Sequence, residues 1–475
     1  MRQKSLAVLL LGLAGAAWAV EEQSTQLSDQ TALAVTIYNS DLALVKDARK
    51  TGLRQGENRL AWRDVAAQIQ PETALLRRTE GAGLTLLEQN FDFDLLTPQK
   101  LLEKSVGETI RVIKTNPLTG VESTEYAQVL AANSGFVLKY ADRVETNIPA
   151  NARLAYGTVP QGLRDRPTLS MTFQNPKAGP AELELSYLTG GLGWKADYVA
   201  ELTGQEDSLD LNGWVTLTNT SGTAYPNAKL QLIAGDVNRV QPEYRPAPKM
   251  RDMMVMAAAA PAMEQESLFE YHLYTLNRPT SIENNQTKQV ALLSASQVPV
   301  GKEYLLRGGS YYYQGQYGDL GQKLKAGVFL EFDNAGDSLG IPLPKGVVRV
   351  YKKDAAGRAQ FIGEDRIDHT AKGEKVRLKL GDAFDINADK KQTDFQRLAN
   401  YGRSGGLIET AYQLEIRNAK SEPVKVKVVE PMPADWQMVS ESLPHTKESA
   451  HTAVWEVTVP AEGKTLLTWR VRIKY

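Results

Sequence analysis

An all-β chain, built from several antiparallel β-sandwich modules with a small strand-rich, barrel-like insertion, is predicted by three observations. First, Ala181 to Gly235 holds four runs in which apolar and polar residues alternate, as in Leu183, Leu185 and Tyr187, then Trp194, Ala196, Tyr198 and Ala200. A period of two buries one face of a strand and wets the other. Second, clusters of Gly, Asn, Ser, Asp and Pro separate the runs, and those residues favour reversals. Third, the closing block repeats the outline: WVTLTNTSGTAYPNAKLQLIAG and YQLEIRNAKSEPVKVKVVEP each run strand, Asn-led turn, Pro, strand. The four central runs therefore read as an antiparallel meander, with Gly190, Gly191 and Gly193 supplying positive φ at its first reversal.

The first nineteen residues read as a secretory signal. Arg2 and Lys4 give a positive start, Leu6 to Leu13 an apolar core, and Ala17-Trp18-Ala19 a small-x-small cleavage pattern. No later run approaches the ~20 apolar residues of a spanning helix, so no transmembrane helix is expected after cleavage. The 475 residues contain no cysteine, which excludes disulfides and a lipoprotein-type anchor. Lys and Arg number 55 against 56 Asp and Glu, with the signs interspersed. That balance offers no footprint for nucleic acid.

The remaining chain divides into an N-terminal β unit (20–100), a small β insertion (101–146), the central meander (147–240), a linker (241–268), a β domain continuing the central unit (269–400) and a C-terminal sandwich block (401–475). In the first, Ala32 to Val45 gives two strands around Asn39-Ser40-Asp41. The insertion has brief strands with tight turns, consistent with a small barrel or twisted sheet. The linker is rich in Pro, Met and Ala. Its Met250, Met253, Met254, Met256 and Met263 could hold a soft metal, but neither His nor Cys accompanies them, and a hydrophobic flap or short helix explains them as well.

The stretches SYLTGGLGWKADYVAEL, EYHLYTLNRPTSIENNQTKQVALL and RNAKSEPVKVKVVEPMPADW resemble the bacterial domain-of-unknown-function 4139 family, relatives of mucoidy-inhibitor-A-like proteins. The resemblance covers most of the chain after the leader. It implies an exported, β-rich envelope protein and supplies no established catalytic residues. Family members often carry a long coiled-coil insertion after the N-terminal β unit, whereas Leu101 to Tyr140 here is strand-rich and lacks apolar heptads.

No catalytic constellation stands out. Gly402-Arg403-Ser404-Gly405-Gly406 satisfies G-x-S-x-G, with Asp435 and His445 following in hydrolase order. A nucleophile elbow needs a strand before the serine and a helix after it, and the flanks here do not read so. Asp385-Ile386-Asn387-Ala388-Asp389 opens like a calcium loop, but the sixth place is Lys390 and the twelfth Gln396. Asp333-Asn334-Ala335-Gly336-Asp337 reads as a turn first. His272, His369, His445 and His451 are dispersed and form no zinc motif.

Tyr311, Tyr312, Tyr313 and Tyr317, in the Gly-rich stretch GGSYYYQGQYGD, are the candidate binding residues. Such rings stack on sugars or fill a partner's pocket; alternatively, alternate tyrosines pack back on the sheet. The expected function is binding or scaffolding by an exported protein in the periplasm or at the cell surface, with an envelope protein or glycan as partner and no cofactor. Two rivals are an envelope glycan hydrolase using carboxylates assembled by the fold, with Glu182, Glu184 and Glu201 as strand carboxylates, and an outer-membrane barrel. The barrel is suggested by the alternation of Leu467, Trp469, Val471, Ile473 and Tyr475 in the final strand.

Overall fold

The computed structural model describes residues 21–39, 41–81, 83–133, 135–160, 162–235, 238, 263–268, 270–336, 339–400 and 406–475. Strand takes 65% of the chain and helix 4%, which makes the protein all-β. Pairing is mostly antiparallel, and the strand orders of the sheets run from edge to edge without closing. Among the described residues no helix is long and apolar enough to cross a membrane. The leader and Met250 to Met256 lie outside the described residues.

Two compact units form, each from several segments of chain. One comprises residues up to Gly193 together with Thr218–Gln231 and Arg278–Gln286, and the other Trp194–Leu217, Leu232–Asn277 and Thr287–Tyr475.

In the first unit, Leu42–Leu53 pairs with Gln30–Tyr38 on one side and with Gly179–Thr189 on the other. A second sheet orders Glu22–Thr25, Gly56–Arg63, Thr168–Asn175 and Thr85–Asp92. The alternation that forms these strands also places two charges inside. Asp47 and Arg49, two apart on one strand, are buried and paired at 2.7 Å. Their remaining capacity is met locally. Trp62 Nε1 donates to Asp47 Oδ2 at 3.0 Å, Gln30 Nε2 to Oδ1 at 2.8 Å, and Arg49 Nη1 to the Thr25 carbonyl at 3.0 Å. A buried ion pair survives in a dry interior only when its other hydrogen-bonding positions are filled in this way.

The small insertion has its own core of Leu102, Ile110, Val112, Ala127, Val129 and Leu138. Its five strands form an open sheet with Val144–Glu145 and Ala152–Ala155 at the edges, which is the sheet and not the barrel of the two arrangements the sequence allowed. The helix Pro98–Lys104 precedes the sheet, with Thr97 capping it by accepting from the Lys100 amide.

The second unit contains a five-stranded sheet and a nine-stranded one. In the five-stranded sheet Leu192–Leu202 runs parallel to Gly346–Lys353. The expected meander is corrected here. Gly179–Thr189 and Tyr225–Ala234 lie in one sheet, and Leu192–Leu202 and Ser208–Asn219 in another. Alternation reports that a strand has a buried face and leaves its neighbour undetermined. At the first reversal only Gly191 of the three glycines takes a positive φ, 77°, and a Cβ there would stand 2.5 Å from Ser221 Cα. The last residues of the Met-rich stretch, Glu264–Leu268, form a hairpin with Tyr271–Thr275.

The nine-stranded sheet runs Asp435–Glu441, Gly463–Lys474, Gly406–Asn418, Lys375–Asn400, Asp319–Asp333, Gly301–Arg307, Val424–Pro431, Thr452–Val459 and Thr446–Ser449. Its two arms share one core. Trp469, Val471 and Ile473 from one arm pack with Val426, Val428 and Trp455 from the other, and the rings of Trp455 and Trp469 lie 5.2 Å apart. The sheet thus folds over into two layers, and it joins strands of the block 401–475 to Gly301–Arg307, Asp319–Asp333 and Lys375–Asn400, which the sequence reading had assigned to a preceding domain. Gly301–Arg307 pairs antiparallel with Asp319–Asp333 but parallel with Val424–Pro431, so the segment between the two antiparallel partners is held at the junction of the arms.

Candidate functional site

That segment contains the tyrosines. Ser310–Tyr313 is a single turn of 3-10 helix, closed by Tyr312 N to the Gly309 carbonyl and Gln314 N to the Tyr311 carbonyl, both at 3.1 Å. With three residues per turn, consecutive side chains diverge by about 120°, so three adjacent tyrosines cannot share a fate. Tyr312 and Tyr313 turn inward and are buried, whereas Tyr311 is 54% and Tyr317 39% exposed. The exposed rings meet edge to face with centroids 6.2 Å apart, and Tyr311 packs on Tyr312 at 4.5 Å.

Beneath the turn lies a buried ion pair. Lys390 Nζ sits 2.7 Å from both carboxylate oxygens of Glu430, and each side chain is 2% exposed. Tyr313 donates its hydroxyl to Glu430 Oε2 at 2.8 Å. The ammonium also faces the rings of Tyr312, Trp469 and Tyr412 at 4.2, 5.1 and 5.5 Å, which present negative π faces to the buried charge. Burial pushes the lysine below its ordinary value of 10.5, against the opposing pull of Glu430. Burial, reinforced by the Glu430 charge, holds the Tyr313 phenol well above 10. The phenol therefore stays protonated and remains a donor to the carboxylate.

Strand parity explains how these charges came inside. Ile386, Ala388, Lys390 and Gln392 are the buried positions along that part of Lys375–Asn400, and Val424, Val426, Val428 and Glu430 fall on the buried parity of their strand. Neither charge was singled out in the sequence. The signal for Lys390 was present, as a lysine on the parity of Ile386 and Ala388. Its partner lies 40 residues away, where no local pattern could find it.

Other contacts fasten the turn. The hydroxyls of Tyr412 and Tyr475 donate to the carbonyls of Tyr312 and Tyr313, each at 2.7 Å. Gln392 Nε2 donates to the Gly315 carbonyl at 3.0 Å while its Oε1 accepts from the Tyr317 amide. Gly308 admits the carboxylate, since a Cβ there would stand 2.2 Å from Glu430 Oε2. A cavity of about 140 Å³ opens beside the pair, lined by Arg307, Tyr312, Leu324, Lys325 and Leu414 among others.

The remaining sequence candidates lie elsewhere. The calcium-like stretch is part of Lys375–Asn400, with Asp389 accepting from the Lys323 amide at 2.7 Å and pairing with Arg417 at 2.8 Å. Ser404 lies outside the described residues. His445 Nδ1 is 2.9 Å from Glu441, which also accepts from Trp455 Nε1. Glu182 accepts from the hydroxyls of Thr31 and Thr79, Glu184 from Ser186, and Glu201 pairs with Lys353.

A family model described as Domain of unknown function (DUF4139) matches residues 183–475, a span that includes every residue of this site. The chain belongs to this family. The match to DUF4139 begins within the strand Gly179–Thr189 and takes in both arms of the nine-stranded sheet. No curated protein matches the chain.

Proposed function

We propose that this DUF4139 protein is an exported component of the bacterial cell envelope that binds a glycan or protein partner through the exposed rings of Tyr311 and Tyr317. The observation that carries this reading is an exposed aromatic pair on a turn whose neighbouring carbonyls and side chains are fixed from below. Aromatic surface held in place before contact loses little entropy on binding, which is what separates a recognition surface from a scattered exposed ring. The leader sequence supports export. Binding is favoured over glycan hydrolysis because the cavity beside the turn is lined by one carboxylate, Glu430, and that group is already paired with Lys390 and Tyr313. A glycosidase needs two carboxyl groups facing the scissile bond.

The test combines fractionation with binding. The protein is expected in the periplasmic or surface fraction, and recovery in the cytosol as the uncleaved chain overturns the export. In co-sedimentation with purified envelope glycans and in cross-linking in cells, Tyr311→Ala with Tyr317→Ala is expected to weaken capture by about tenfold, the loss of ~1.4 kcal/mol. Its unfolding midpoint should match the parent. Unchanged capture by a folded double variant sinks the assignment of the rings.

A further inference from the structure

We infer that the outward face of the small insertion sheet is a docking surface for an acidic polysaccharide. Strand register builds this face. Ile110, Val112, Ala127, Val129 and Leu138 point into the insertion's core, so the residues that alternate with them point away from it. Across Thr109–Thr115, Glu122–Ala131 and Val137–Lys139, Arg111 stands opposite Tyr126, Thr109 opposite Gln128, and Gln128 opposite Lys139. Arg111 and Lys139 therefore flank the middle strand, one on each side of it, and between them stands Tyr126, which is 67% exposed.

Charge selects the ligand. The acids in the insertion's strands are engaged with other cations. Glu125 pairs with Lys114 and Arg143, and Glu145 with Arg143, all on the inward side of the sheet or its rim. Glu122, the acid on the outward parity, pairs with Arg153 at 2.6 Å. Arg111 and Lys139 form no ion pair among the described residues. They lie about 12 Å apart, two strand spacings across and one two-residue step along, and such a face draws a polyanion. The neutral positions narrow the class further. Thr109, Thr124 and Gln128 share the face with Tyr126 and are exposed. A sugar brings hydroxyls to such polar groups while its C–H face stacks on the phenol ring, whereas a bilayer would leave them without partners. Single-stranded nucleic acid is held by successive stacking rings, and the outward positions of these strands hold one.

This surface stands independently of the tyrosine turn. The insertion belongs to the first compact unit and the turn to the second, and the insertion lies outside the family match. The experiment is affinity electrophoresis of the full chain through gels containing polygalacturonate, with dextran as the uncharged polysaccharide. Retardation by polygalacturonate, weakened by salt and absent with dextran, is expected. Arg111→Gln with Lys139→Gln should weaken it by about tenfold, and Tyr126→Ala by about threefold. All three positions are exposed, so unfolding midpoints should match the parent. Absent retardation, equal retardation by dextran, or a folded double variant retarded like the parent overturns the surface. Oligothymidylate or phosphatidylglycerol vesicles bound more tightly than polygalacturonate through the same residues also overturn the choice of a polysaccharide. Tyr311→Ala with Tyr317→Ala should leave the retardation intact, and a loss confined to that variant moves the glycan to the turn and removes this surface. Retardation lost only in the insertion variants, with envelope capture unchanged in the tyrosine variant, keeps this surface while the reading of the turn fails.

Discussion

Each unit of this protein holds a buried ion pair against aromatic rings, and the two are satisfied in different ways. Asp47 and Arg49 sit two residues apart on one strand, and Trp62, Gln30 and the Thr25 carbonyl fill their remaining hydrogen-bonding positions. Lys390 and Glu430 come from different strands of the nine-stranded sheet, and their neighbours are π faces and one phenol. The first pair is local and saturated with donors and acceptors. The second spans the sandwich and borders a cavity. A charge pair with dense polar support serves as a structural joint, whereas one ringed by aromatics and open on one side can shape a surface above it.

Removing one carboxylate should have the largest effect and should not distinguish the pairs. Asp47→Leu and Glu430→Leu each strand a buried cation, and chemical unfolding is expected to show a loss of about 3–5 kcal/mol for either. Replacing whole pairs does separate them. Lys390→Met with Glu430→Leu and Tyr313→Phe leaves apolar atoms among aromatic rings and should recover most of that loss. Asp47→Leu with Arg49→Met orphans Trp62 Nε1, Gln30 Nε2 and the Thr25 carbonyl, so recovery should be clearly smaller. Equal recovery at both places would erase the distinction drawn above.

Tyr313→Phe alone is the next smaller effect. It removes a hydrogen bond to a buried carboxylate, and about 1.5–3 kcal/mol is expected from the unfolding midpoint. A variant as stable as the parent would mean that the phenol does not support Glu430.

The smallest effect is in pH. Burial puts the folded-state value of Lys390 below 10.5, despite Glu430. The unfolded chain therefore keeps a proton on this lysine at pH values where the folded chain has released it, and stability rises with pH through that window, which ends near 10.5. Comparison with Lys390→Arg cancels the contribution of the buried tyrosines. The parent should gain on that variant as pH rises toward 10.5 in urea unfolding, and a flat difference contradicts the direction given for Lys390.

Much of the secondary structure was legible, because alternation such as Leu183, Leu185, Tyr187 or Leu467, Trp469, Val471 is imposed by burial of one strand face and survives in any tertiary setting. Partnership was not legible: Gly179–Thr189 pairs with Leu42–Leu53, more than a hundred residues upstream, and not with the strand that follows it. The tyrosine cluster was visible as composition. Its division was hidden, since strand parity separates alternate residues while a 3-10 turn sends three consecutive rings three ways. The aspartates near residue 385 drew the eye to metal chemistry, and the residue that matters in that stretch is the lysine that breaks the calcium pattern.

The parallel pairing of Gly301–Arg307 with Val424–Pro431 has a consequence for the order of assembly. Tyr313 meets Glu430 across 117 residues of intervening sequence, and closing so long a loop is slow compared with forming the hairpin to Asp319–Asp333. As the chain folds, the tyrosine turn is without its foundation until the Val424–Pro431 strand pairs. The support of the turn by Glu430 is then a late event of folding, since it depends on a strand 117 residues further along the chain.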